Sequence, residues 1–189
     1  MTPPEVIPQY KVEEAIQLIL RFIGEDPQRE GLRETPKRVV KSYHELFGGY
    51  HVDPASVLKV FEDGACDEMV VLRNCEFSST CEHHLLPFIG RAHIAYVPDK
   101  KVIGVSKLAR ILDIYSHRLQ IQERLCQQVT EALDKHLQPR GSACILEATH
   151  YCMVCRGVQK QHSELVTSSL TGVFREAPVR QELLSLIRG

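Results

Sequence analysis

A chain of 189 residues with 43% hydrophobic and 25% charged residues reads as an ordinary soluble globular protein, long enough to bury a core of its own. Its formal net charge of −1 spreads no basic field over the surface, which argues against wholesale attachment to nucleic acid or to an anionic membrane. No run approaches the apolar length of a membrane span, and the first ten residues, with prolines and Glu5 but no basic start, are not expected to be a signal peptide. Seven cysteines, Cys66, Cys75, Cys81, Cys126, Cys144, Cys152 and Cys155, make an odd count, which fits reduced thiols in a cytoplasmic protein better than a disulfide framework.

The spacing of Val12, Ala15, Ile16, Ile19, Leu20 and Ile23 predicts a helix over residues 11–23, with Gly24 as its C-terminal cap. After a polar loop, Thr35-Pro36 signals a second helix to about Phe47, in which threonine caps and proline tolerates the first turn. Val39, Val40, Tyr43, Leu46 and Phe47 form its buried stripe. Arg38 and Lys41 share another face, which by composition alone is a solvated one. Residues 51–67, with Pro54 and Gly64, read as an irregular link between a helical arm, residues 1–60, and a main domain, residues 61–189.

Residues 69–77 and 87–97 are rich in branched and apolar side chains and predict two antiparallel strands, the second ended by Pro98-Asp99. A short extended piece follows at 102–105, and Ser106 is expected to cap a helix through Tyr115. A longer helix is expected over 121–137, then a strand over 144–152, another over 164–174, and a closing helix over 179–187. The order helix, helix, β-β-α-α-β-β, helix predicts an α+β fold: a four-stranded antiparallel sheet with two helices on one face, preceded by the helical arm.

Cys81-Glu82-His83-His84 falls in the connection between the first two long strands, where sites are commonly built. Cys81 and His84 have the two-residue gap that lets both close on one metal ion, and His150-Tyr151-Cys152 offers a further imidazole and thiolate. On a strand, His150 and Cys152 face one way and Tyr151 the other. Two arrangements remain open. In one, three donors hold the ion and leave a position for water; in the other, Cys81, His84, Cys152 and Cys155 close a three-cysteine, one-histidine structural site. The second leaves His83 and His150 unexplained, and strand alternation would point Cys155 away from Cys152. Cys66, Cys75, Cys126 and Cys144 have no histidine partner and read as small buried hydrophobes. His83 lies beside a ligand and suits proton transfer.

The runs STCEHHLLPFIGRAHIAYVP, VIGVSKLARILDIYSHRLQIQERL and EATHYCMVCRGVQ, followed by TSSLTGVF, resemble GTP cyclohydrolase I, and the similarity extends from about Lys11 to the C-terminus. The resemblance implies the tunnelling fold, a homodecamer of two pentamer rings with active sites between subunits, and hydrolysis and rearrangement of GTP to 7,8-dihydroneopterin triphosphate with release of formate. It implies zinc held by Cys81, His84 and Cys152, with His83, His150 and Ser106 in proton transfers. Glu123, with Gln122 beside it, would anchor guanine. Lys107, Arg110 and Arg156 would bind the triphosphate, joined by Arg38 and Lys41 from a neighbouring subunit. The rival is a non-catalytic, zinc-stabilised ring-forming scaffold, which has no use for His83, His150 or Glu123. No GxxxxGK[ST] phosphate loop occurs.

Overall fold

The structure is a computed structural model that describes residues 6–61 and 66–188. The opening residues 1–5 and Gly64 of the expected link lie outside the described residues. The chain forms two compact units, one ending at Phe47 and the other starting at Gly48.

The first unit holds α1 (Gln9–Phe22) and α2 (Thr35–Leu46). Gly24, at φ +92°, takes the left-handed conformation that only glycine adopts without strain, and its N–H donates to Arg21 O to stop α1. Thr35 does not cap α2. It is the first helical residue, because the turns before it already bend the chain, and Glu34 in the cap position makes no side-chain capping hydrogen bond. The apolar stripes are only half covered: Ile16, Leu20, Pro36 and Val40 are buried, whereas Ile19, Ile23, Tyr43 and Leu46 are exposed.

In the second unit β1 (Val60–Phe61) precedes β2 (Val70–Cys81), β3 (Pro87–Val97), β4 (Val102–Ile103), α3 (Val105–Ser116), β5 (Leu119–Gln120) and α4 (Gln122–Leu137). Then come β6 (Gly141–His150), the single turn α5 (Tyr151–Val154), β7 (Leu165–Leu170) and α6 (Ala177–Arg188). β1 and β4 pair as a two-stranded ribbon within stretches whose lengths are too short to show a period. The main sheet runs β5-β2-β3-β6-β7, so the four long strands are antiparallel as expected, and β5 adds two parallel residues beside Thr80 and Cys81. The fold is therefore α+β. Among the described residues no helix is long and apolar enough to cross a membrane.

Strand alternation gives the sheet two apolar faces. Phe88, Ala92, Ile94, Cys144 and Leu146 share one core with Leu108, Ile111 and Leu112 of α3 and Leu125, Val129 and Leu133 of α4. Ala95, Val97, Ala143 and Ile145 meet Phe174, in the turn before α6, and Leu183 of α6 on the other. Gly90 sits opposite Ala148, where an added Cβ would come within 1.9 Å of Glu147 O; only glycine lets β3 and β6 close there. Cys126 and Cys144 are buried as expected, Cys75 is half-buried, and Cys66 is exposed.

His93 is buried behind an irregularity in β2, where Asn74 at φ +55° donates its N–H to His93 Nδ1 at 3.4 Å. Burial lowers its pKa; Glu147 opposes this, while Arg91 and Arg73 add to it. Below the ordinary histidine value of about 6.5 the unfolded chain takes up a proton that the folded chain refuses, so this contribution to stability falls until the lowered folded pKa is passed. Urea midpoints measured from pH 7.5 downward are expected to decline less in His93→Gln than in the parent.

Candidate metal centre

β2 ends at Cys81, and the chain reverses through a tight turn before β3 begins at Pro87. Cys81 N–H donates to Leu86 O at 2.9 Å, while His84 and Leu85 N–H donate back to Cys81 O at 3.3 and 2.9 Å. Leu85, at φ +53°, completes the reversal. The turn folds His84 over Cys81 and leaves Nδ1 3.8 Å from the sulfur. Phe88 of β3 pairs with His150 of β6, so the end of β6 lies beside this turn. Here the expected strand gives way to a helix turn: Cys152 belongs to α5, with Cys155 N–H donating to Tyr151 O at 3.1 Å.

The donor atoms of Cys81, His84 and Cys152 all lie within 4.8 Å of one another. Burial and the neighbouring Cys81 push the Cys152 thiol up, and Arg156 partly counters them. Two crowded thiols and an imidazole are a donor set that a soft divalent cation satisfies, because its charge compensates both thiolates at once. Cys155 is outside the group. Strand alternation is not the reason, since residues three apart on a helix turn share a side; its sulfur instead faces Tyr151 O at 2.8 Å.

The start of α4 packs against the same turn. Cys81 pairs with Gln120, and Glu82 N–H donates to Gln120 O at 3.0 Å. Arg124 forks onto the Glu82 carboxylate, Nη2 to Oε1 at 2.9 Å, and holds that carboxyl below its usual range. This pair, 42 residues apart, carries no signal in the sequence. His83 is exposed, its Nε2 3.8 Å from Glu82 Oε1. His150 stacks flat on Phe88, ring centroids 4.7 Å apart and planes 1° apart, and its Nε2 lies 2.9 Å from Gln122 Oε1. Burial lowers the pKa of His150 and Glu123 nearby partly restores it, which favours a neutral imidazole beside a carboxylate.

Thus Cys81, His84 and Cys152 converge, with Gln122, Glu123, His150 and Arg156 around them. Ser106, Lys107 and Arg110 lie along α3, where Gly104 rather than Ser106 takes the cap position. Among the described residues no ion pair or side-chain hydrogen bond engages those three side chains, nor Arg38 and Lys41, which are exposed on α2.

Two thiols and an imidazole gathered at the end of an antiparallel sheet form a candidate donor set for a metal ion on an α+β scaffold. The family model described as GTP cyclohydrolase I matches residues 12–188, and the chain belongs to that family. It is 55% identical over 94% of its length to the GTP cyclohydrolase 1 of Wolinella succinogenes, 96% of which is covered. It is 56% identical over 92% of its length to that of Synechococcus sp. strain JA-2-3B'a(2-13), 77% of which is covered. The corresponding protein of Sulfurihydrogenibium sp. strain YO3AOP1 is 53% identical over 96% of each chain.

Proposed function

We infer that this chain is a GTP cyclohydrolase that opens the imidazole ring of GTP, releases C8 as formate and closes a pterin ring, giving 7,8-dihydroneopterin triphosphate. The observation that carries the reading is the donor group of Cys81, His84 and Cys152, all within 4.8 Å, in a chain of this family. Those residues would hold zinc. When bound, the ion supplies Lewis-acid activation of water for attack at C8. A structural staple is disfavoured, because Cys155 stands outside the group.

His150 moves protons to and from the imidazole nitrogens of the substrate, and its neutral form at physiological pH suits a base. His83, exposed beside the ligands, protonates the ribose ring oxygen, and Ser106 works near the ribose hydroxyls. Glu123 accepts the guanine N1–H and amino group together. Lys107, Arg110 and Arg156 hold the triphosphate, with Arg38 and Lys41 reaching in from a neighbouring subunit.

The tunnelling fold and a decamer of two pentamer rings go with this assignment. β7 carries exposed Val166 on an edge that no further strand covers among the described residues, and α1 leaves Ile19 and Ile23 uncovered. An uncovered sheet edge is a ready-made template for pairing with another chain. Seven free cysteines fit a reducing cytoplasm.

Incubation of the zinc-loaded protein with GTP is expected to yield one formate per dihydropterin formed, a reaction stopped by a chelator and restored by zinc. A zinc-loaded protein that leaves GTP intact would contradict the assignment.

A further inference from the structure

We propose that Gln122 is the positioning residue that holds His150 in a single tautomer, with the proton on Nε2 and the lone pair on Nδ1. The proposal rests on the reading of His150 as the proton-transfer residue.

Gln122 is 1% exposed, so no solvent shares its hydrogen bonds. Its Nε2 donates to Leu146 O of β6 at 3.0 Å and to Leu165 O, the first residue of β7, at 2.8 Å. Both partners are backbone carbonyls, which only accept. The amide is thereby oriented: both N–H groups are engaged, and Oε1 must be the atom that faces His150 at 2.9 Å. A carbonyl oxygen donates nothing, so the imidazole nitrogen opposite it carries the hydrogen. In the neutral ring Nδ1 is then the acceptor.

Two further features hold the arrangement. The parallel stack on Phe88 opposes tilting of the ring out of its plane. Gln122 also stands at the first position of α4, fixed by helix packing on one side and by two strands on the other. His150 can therefore take a proton at Nδ1 and return it without rotating, while Nε2–H keeps its bond to the amide. The same contacts leave Gln122 no free N–H for a guanine oxygen. With its N–H groups engaged by the strand carbonyls, its effect on the reaction runs through the oxygen that faces His150.

Neutron diffraction from deuterium-exchanged crystals of the zinc-loaded protein is expected to place a deuteron on His150 Nε2 and none on Nδ1. In Gln122→Met, of similar length but without the amide, kcat is expected to fall roughly ten- to a hundredfold, the usual effect of losing a partner that orients a working residue. KM for GTP should stay within about twofold in that variant. Gln122→Glu, whose protonated carboxyl still presents an acceptor to His150, should retain more kcat than Gln122→Met. A deuteron on Nδ1, a rise in KM at unchanged kcat, or full activity in Gln122→Met would each overturn the proposal. Should Gln122→Met fail to fold, the deuteron position in the parent decides. Undiminished turnover in His150→Ala would overturn the underlying reading of His150, whereas an inactive His150→Ala beside a fully active Gln122→Met overturns the tautomer assignment alone.

Discussion

His150→Ala is expected to lower GTP turnover by at least about a hundredfold, the lower end of what a positioned general acid or base contributes, while zinc content and assembly stay as in the parent. His150 lies outside the donor group, so its loss removes no ligand. Its ring instead covers Phe88 and engages Gln122 Oε1. Truncation leaves that amide oxygen unpartnered, at about 1–3 kcal/mol, a cost that a domain of this size tolerates without unfolding. Rate and stability therefore separate: turnover collapses while the urea midpoint moves modestly. Near-parental turnover would remove His150 from the chemistry.

Cys152→Ala is expected to weaken zinc binding by more than a hundredfold, and with it abolish turnover. Structural zinc sites release roughly 10–16 kcal/mol on binding, so one ligand among three or four carries about 3 kcal/mol or more. The effect should be specific to position. Cys155→Ala, three residues on and equally a thiol, should leave zinc affinity unchanged within about twofold, because its sulfur faces Tyr151 O and not the donor group. Competition against a fluorescent chelator measures both. Equal losses in the two variants would mean that Cys155 is a ligand too.

How far the sequence leads can be seen at these residues. The Cys81/His84 gap is legible because a ligand pair in one turn is a local feature, and the long elements are legible because their apolar periods are sustained. Cys152 reads in the sequence as the end of a strand, and a helix of a single turn is too short to show its own period. Strand alternation is thus the wrong ground for separating Cys155 from Cys152. β1 and β5 exist only through their partners and leave no local trace, whereas the extended piece expected at 102–105 contains β4. The Arg124–Glu82 pair and the three bonds of Gln122 join residues 24 or more apart, and nothing at either end announces the other. Gln122 reads locally as a polar first residue of a helix, where burial is the last thing composition suggests. Cys66 shows the converse: its residue type favours burial, yet it is exposed.

X-ray absorption at the zinc edge of the loaded protein addresses the metal centre itself. Two sulfur scatterers at about 2.3 Å, one imidazole nitrogen and one further light atom at about 2.0–2.1 Å are the predicted first coordination sphere. Three sulfurs with one imidazole would contradict it, since a fourth protein donor would then occupy the place where water must react.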